Sequence, residues 1–383
     1  MKRFWGIFFA FLVVVGAFPL TARAAPAEVA AKSALLMEIS TGKVLYEQNA
    51  HEPLAPASVT KVMTMLLIME AIDQERIRWQ DMVTASENAA AKGGSQIYLK
   101  VGETMSVEEM VKSIAVSSAN DCACAMAEHI AGSEAAFVDM MNLRAQQLGM
   151  KNTHFVNCTG LDDDPDAAQH LTSAYDIALM SRELMANHPD IKSYTTIWMD
   201  TVRGGTFGLS NTNKMVRFYP GATGLKTGFT SAAGYCLSAT AQRDGMELIA
   251  VVMGSATSKD RFAACKSLLD YGFSNFATAA PQLPEALSVP VKLGKQEFVT
   301  AQPSGNTALL VDKSQKQLLS TEYSLLETVT APVSKGQYLG EATVKVGDKV
   351  IAQIPLLATE AVPKVSYWDV VKDLLKAFFM KGN

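Results

Sequence analysis

Between Val59 and Ile72 the chain reads VTKVMTMLLIMEAI, and once Lys61 is passed only Thr64 and Glu70 interrupt a run of Val, Met, Leu, Ile and Ala. A helix that is apolar around its whole circumference has no face to give to water, so it belongs in the centre of a protein. Pro53 and Pro56 precede the run, and Ser58 and Lys61 stand three apart at its start.

The flanking segments suggest what surrounds that helix. ALLMEISTGKVLYEQNA, from Ala34, gives two apolar segments about Ser40-Thr41-Gly42, a hairpin signal. Residues 106–148 read as helices, with SVEEM as a capping-box start and Gly132-Ser133 as a break. TSAYDIALMSRELMAN (172–187) is an amphipathic helix ended by His188-Pro189. After Thr201 glycines punctuate short segments, and GYCLSATAQRDGMELIAVVMG places two strand-like runs about Asp244-Gly245. SKDRFAACKSLLDYGFSNF then supplies a helix that can pack back on them. Strands at both ends with helices between predict an α+β fold: one antiparallel sheet assembled from distant segments, with a helical lobe beside it.

Both termini differ in texture from this body. Lys2 and Arg3, the apolar stretch Phe4–Phe18 and Ala22-Arg23-Ala24 form the charged region, apolar region and A-x-A site of a secretory signal peptide over residues 1–24. The expected main domain covers 25–280. Residues 284–361 (SVPVKLG, EFVTAQ, TALLVD, ATVKVGDKVIAQIPLL) read as a separate small all-β domain. At 365–381 Val365, Trp368, Val371, Leu375 and Phe378 recur at helical spacing, with Asp369, Lys372, Asp373 and Lys376 largely opposite. Too short and too charged to span a bilayer, this segment suits an amphipathic helix lying on a membrane surface. A net charge of −4 without a basic cluster excludes nucleic acid as a natural partner. The five cysteines are odd in number and contain no C-x-x-C, so neither a disulfide framework nor a zinc site is expected, and Cys122 and Cys124 read as small packed residues on a helix. The acidic loop with Asp162, Asp163, Asp164, Asp166 and His170 has metal-ligand types but no calcium-loop spacing, and reads as solvated.

Three short motifs carry chemistry. On a helix, residues three apart share a face, so Lys61 can bring its amine to the Ser58 hydroxyl. Burial disfavours a charged lysine, and a lysine of lowered pKa can accept a serine proton. The same S-x-x-K spacing at Ser40…Lys43 sits in a hairpin turn, where the pair has no reason to meet. Ser118-Ala119-Asn120 puts a hydroxyl and a carboxamide where one apolar helix meets another, so both can turn into a cleft; helix capping is the bland alternative, and Ser86…Asn88 and Ser304…Asn306 repeat the spacing. Lys226-Thr227-Gly228 occurs once and opens a strand, offering a cation and a hydroxyl to a carboxylate, with a glycine that admits close approach.

The order S-x-x-K, S-x-N, K-T-G is far more specific than its parts and resembles the penicillin-binding protein and serine β-lactamase superfamily. The stretches GKVLYEQNAHEPLAPASVTKVMT, GGSQIYLKVGE, SSANDCACAMAEHIAG, GMKNTHFVNCTGLDD and TGLKTGFTSAAGYCL are similar to those of the low-molecular-mass, serine-type D-alanyl-D-alanine carboxypeptidases of peptidase family S11, in particular the DacF-like group. The resemblance implies a β-lactamase/transpeptidase-like domain that removes the terminal D-Ala from peptidoglycan pentapeptide stems and is acylated by β-lactams. It also implies a location on the outer face of the cytoplasmic membrane or in the cell wall, and no metal or organic cofactor. It makes Ser58 the acylated nucleophile, Lys61 its base, Ser118 a proton relay, Asn120 a contact to the substrate amide, and Lys226 and Thr227 the carboxylate site beside Gly228. The backbone N–H groups of Ser58 and Phe229 would form the oxyanion hole.

Two positions depart from the family pattern: Thr223 stands where many relatives have Asp before Gly224, and the upstream arginine of some relatives has Arg203 and Arg217 as its candidates here. The competing readings are a β-lactamase and a penicillin-binding sensor that acylates without turnover. The added β domain and the tail favour a cell-wall enzyme.

Overall fold

The computed structural model describes residues 29–372 apart from Asp164, Asn306 and positions 282–283 and 285–286. The signal peptide expected at 1–24, and the tail beyond residue 372, lie outside the described residues.

The first hairpin, β1 (Ser33–Glu38) and β2 (Val44–Gln48), turns where Glu38 accepts hydrogen bonds from the Ser40 hydroxyl at 2.7 Å and the Thr41 amide at 2.8 Å. The apolar run becomes α1 (Lys61–Asp73), followed by α2 (Val107–Ser117), α3 (Asn120–Ala131), α4 (Glu134–Gln147) and α5 (Ala174–Asn187). Then come β3 (Ala222–Thr230), β4 (Gly234–Arg243), β5 (Met246–Ser255) and α6 (Ser258–Asn275). Side-chain caps explain four of the helix starts. Ser106 accepts from the Glu109 amide, Ser133 from Ala136, Ser173 from Asp176 and Thr257 from Asp260, each satisfying an N–H that has no partner within its helix.

The strands form one antiparallel sheet in the order β2-β1-β5-β4-β3. Strand periodicity sends alternate side chains to two separate cores. Leu35, Met37, Ile249 and Val251 face the lobe of α1–α5, whereas Leu36, Leu248, Ala250 and Val252 meet Leu268, Leu269 and Phe273 of α6. At the heart of the larger core, α1 is buried from Lys61 through Met69 and again at Ala71. The expectation of a helix without a solvent face, in one sheet assembled from distant segments, matches this architecture.

Residues 284–364 are β-rich and have their own core, including Val289, Val299, Leu339, Val344 and Leu356. Phe276–Ala279 pairs with Leu309–Asp312, joining the end of α6 to the third strand of that region. A helix begins at Tyr367, where the Ser366 hydroxyl accepts from the Asp369 amide at 3.2 Å, and it leaves Tyr367 and Trp368 about three-quarters exposed.

Because α1 is enclosed on all sides, Leu66→Ala should destabilise the protein by roughly 2–5 kcal/mol through lost burial and an unfilled cavity. Urea denaturation measures this; a loss below about 1 kcal/mol would contradict the central placement of α1.

Candidate active site

Ser58 does not begin an α-helix. It lies on a single 3-10 turn, Ala57–Thr60, that runs into α1. The reason is local: Ala57 takes a left-handed φ of +49°, which stops helical geometry from extending upstream. In a 3-10 turn the side chains at i and i+3 eclipse, and the Lys61 Nζ to Ser58 Oγ distance is 3.1 Å. Lys61 also donates to the Thr159 carbonyl at 2.7 Å and is completely buried. Burial lowers its pKa to about 7, outweighing the opposite pull of the Cys158 and Asp121 charges. A neutral amine held by Thr159 can turn its lone pair toward the Ser58 hydroxyl, which is the arrangement of a nucleophile with its base.

Thr159 belongs to the loop around GMKNTHFVNCTGLDD, to which the sequence alone assigns no role. Asn157 Oδ1 accepts from the amides of Thr159 and Gly160, at 3.1 and 2.7 Å. The Thr64 hydroxyl donates to the Cys158 carbonyl at 2.6 Å. Gly160 has φ +80°, and a Cβ there would lie 1.9 Å from the Ala57 carbonyl oxygen. The loop therefore fits directly against the Ser58 turn. Its available signal was the Asn-x-x-Gly spacing, Asn157 to Gly160, which suits a side chain closing a turn.

The link between α2 and α3 places Ser118 at φ +63°, left-handed, immediately before Asn120 opens α3. Neither residue caps a helix through its side chain. The Ser118 hydroxyl and Asn120 Oδ1 are buried without a partner among the described residues, an unusual state for buried polar atoms. Asn120 is nevertheless fixed: its Nδ2 donates to Gly93 O at 2.7 Å and its amide to Ser95 O at 2.7 Å. Asp121 holds the same wall by accepting from the Ile97, Leu99 and Cys122 amides. An acceptor and a hydroxyl are thus presented in fixed positions to whatever enters the cleft. By contrast, Ser86 at the repeated spacing caps a short helix by accepting from Ala89, and Asn306 lies outside the described residues.

Lys226-Thr227-Gly228 lies in the middle of β3 and does not open it, because pairing with β4 already begins at Ala222. Although β3 is an edge strand, Lys226 is buried. Burial lowers its pKa well below the usual value for lysine, and the nearby charges of Lys61 and Arg261 lower it further. A negatively charged group bound here would relieve that penalty. Thr227 Oγ1 donates to Thr212 Oγ1 at 2.7 Å, tying β3 to a residue whose amide bonds Val116 O at the end of α2. A Cβ on Gly228 would lie 2.7 Å from Pro56 O, 3.0 Å from Val59 N and 3.1 Å from Ser58 N, so glycine is what lets the strand approach the serine turn. Next to it Phe229 is half-exposed, its ring 4.3 Å from that of Tyr235.

The structure changes the choice of arginine. Arg203 is tied to Glu103 at 2.6 Å and to the carbonyls of Ile97 and Tyr98, while Arg217 lies over Trp198 and Phe218. The guanidinium whose charge reaches Lys226 is that of Arg261, from the first turn of α6, donating to Gly228 O at 2.8 Å and to Cys236 O at 3.3 Å. Sequence reasoning missed it because it lies downstream, on a helix that packs chiefly on β4 and β5 and reaches β3 through this side chain. Thr223 Oγ1 lies 2.9 Å from both Thr240 Oγ1 and Glu247 Oε1, and so links the start of the K-T-G strand to its neighbours in the sheet.

Among the described residues, ligand atoms that could converge on a metal are those of Glu70, Glu183 and His188, far along α1 from Ser58. Arg144 already bridges both glutamates, at 2.7 and 2.6 Å, and His188 bonds Asp73. His170, in the acidic loop, is buried with Nδ1 accepting from the Val156 amide and Nε2 2.8 Å from Thr60 Oγ1. All five cysteines are buried thiols.

Comparisons with known proteins agree with this geometry. The profile of the family described as D-alanyl-D-alanine carboxypeptidase (peptidase S11) matches residues 20–257, and that described as penicillin-binding protein 5, C-terminal domain, matches 284–364. The chain is 44% identical over 348 residues to D-alanyl-D-alanine carboxypeptidase DacF of Bacillus subtilis, covering 89% of this chain and 88% of that protein. It is 33% identical to DacC of Escherichia coli, covering 98% and 94%. Among solved structures, penicillin-binding protein 5 of Haemophilus influenzae superposes with a TM-score of 0.75 at 31% identity, covering 89% of this chain and all of that one. Penicillin-binding protein D2 of Listeria monocytogenes, in its cefotaxime-bound form, gives 0.60 at 32% identity, covering 65% of this chain and all of that one. The chain belongs to the peptidase S11 family of D-alanyl-D-alanine carboxypeptidases.

Gly228→Ala should force β3 away from the Ser58 turn and lower the rate of Ser58 acylation by a labelled penicillin about 100-fold. Stopped-flow or gel-based labelling measures it; a loss under threefold would show that the contact with the serine turn does not position the site.

Proposed function

We propose that this protein is a serine-type D-alanyl-D-alanine carboxypeptidase acting on peptidoglycan pentapeptide stems, with Ser58 as its nucleophile. The observation that carries this reading is the completely buried Lys61 amine, 3.1 Å from Ser58 Oγ and lowered to a pKa of about 7. In acylation Lys61 takes the Ser58 proton as Oγ attacks the carbonyl of the penultimate D-Ala. The C–N bond then breaks, and the leaving D-Ala amine receives a proton through Ser118, whose hydroxyl has no competing partner among the described residues. Asn120 Oδ1 accepts from the substrate amide, since its Nδ2 is held by Gly93.

The terminal carboxylate lies with Lys226 and Thr227, in the field of Arg261. The oxyanion is met by the amides of Ser58 and Phe229, which the close approach of Gly228 brings toward each other. Water then attacks the ester carbonyl, releasing the tetrapeptide and restoring the Ser58 hydroxyl. β-Lactams enter by the same acylation, their carboxylate taking the place of that of D-Ala.

The surroundings of the site fit a substrate outside the cytoplasm. The charged start, apolar stretch and A-x-A site of residues 1–24 support export, and the helix starting at Tyr367 supports attachment to the outer face of the cytoplasmic membrane through Trp368 and the apolar residues after it. Among the described residues, no helix is long and apolar enough to cross a membrane.

Purified protein should release D-alanine from a peptide ending in D-Ala-D-Ala, and Ser58→Ala should lower that rate at least 1,000-fold, as expected for loss of a covalent nucleophile. Rapid hydrolysis of penicillin in place of D-alanine release would instead make the protein a β-lactamase. A stable penicillin adduct with no D-alanine release would make it a sensor.

A further inference from the structure

Behind β3, on the face of the sheet opposite the serine turn, lies a pocket of about 590 Å³ that the reaction does not use. Its volume falls within the range of small-molecule sites. The short helix Met215–Phe218 and the first turns of α6 form its walls, and Phe218, Tyr219, Phe262 and Met215 supply an apolar floor. Lys214, Lys259 and Lys266 stand around it. All three are exposed, none is paired with a carboxylate among the described residues, and no acidic side chain lines the pocket. Phe218 is 70% exposed, with the Trp198 ring and the Arg217 guanidinium beside it, and adds apolar surface to the pocket.

We infer that this pocket is a binding site for a single-chain anionic amphiphile, an alkyl chain ending in a phosphate or carboxylate. The apolar floor takes the chain and the three lysines take the head group. Two features select this chemistry. The polar side-chain groups of the lining are lysine ammonium groups and the hydroxyls of Ser258 and Tyr219, the latter already donating to Asp270, so cations dominate and favour an anionic head group over an uncharged sugar. A free inorganic anion would leave the aromatic floor in water.

The site adjoins the catalytic strand without sharing its residues. Phe262 carries the Arg261 guanidinium 4.9 Å from its ring, and Arg261 donates to Gly228 O. Lys214 stands two residues beyond Thr212, the hydrogen-bond partner of Thr227.

Trp198 makes the site measurable, since its ring lies 5.9 Å edge-on from that of Phe218. Titrating the purified full chain with dodecyl phosphate, below its micelle concentration, should give a saturable change in tryptophan fluorescence that is lost in Trp198→Phe. Inorganic phosphate and uncharged dodecyl maltoside should bind at least tenfold more weakly. The triple variant Lys214→Glu, Lys259→Glu, Lys266→Glu should weaken dodecyl phosphate binding at least tenfold while Ser58 is still acylated by penicillin at the wild-type rate, which shows that the variant is folded. Equal binding of dodecyl maltoside, or unchanged binding by the triple variant, would overturn the inference. Saturation by inorganic phosphate at the same midpoint would reduce the site to an anion site. Lysine-dependent binding to phosphatidylglycerol vesicles without a saturable response to dodecyl phosphate would assign this face to the membrane surface, and would also overturn it.

Discussion

The structure depends on one costly contact: a lysine amine kept out of water at the start of the most buried helix. Among the described residues no carboxylate hydrogen-bonds Lys61, and the Asp121 charge offsets its desolvation only in part; its hydrogen-bond partners are a serine hydroxyl and a backbone carbonyl. A charged ammonium so placed is penalised, and the chain responds by letting the group lose its proton at ordinary pH. The apolar circumference of α1 creates this condition, so the feature that fixes the centre of the fold also sets the protonation of the amine beside Ser58.

The remaining parts of the site approach this point from separate elements. The loop at Asn157–Gly160 supplies the carbonyl that holds the amine, and glycine at 160 lets it lie against Ala57. The break between α2 and α3 leaves a hydroxyl and a carboxamide oxygen without internal partners. From the other side, β3 brings a second buried lysine whose charge is opposed by both Lys61 and Arg261. A carboxylate bound beside Lys226 would favour the charged form of that lysine. Carboxylate recognition and catalysis are thereby coupled electrostatically, with no metal invoked.

Much of this was legible in the sequence because local rules governed it. The all-round apolar run placed α1, the SVEEM capping box placed the start of α2, and the two hairpin signals placed paired strands of one antiparallel sheet. The motifs could be read because each is short and fixed within one turn or strand. The parts that escaped depend on long-range approach. Thr159 meets Lys61 across nearly a hundred residues, and Arg261 reaches Gly228 only because α6 crosses behind the sheet. The 3-10 turn at Ser58 was also hidden, since its cause is the left-handed Ala57, a residue type with no preference for that conformation. Arg203 and Arg217 were chosen as candidates by proximity in sequence, and both are held elsewhere by glutamates, carbonyls and aromatic rings.

The pH dependence of Ser58 acylation tests the central claim most directly. Acylation needs Lys61 without its proton, so the second-order rate constant for a penicillin should be low in acid and rise as pH increases, with a midpoint of about 7 on its acidic limb. A midpoint near the ordinary lysine value of about 10.5, or a rate independent of pH between about 5 and 9, would mean that buried Lys61 is not the base that activates Ser58.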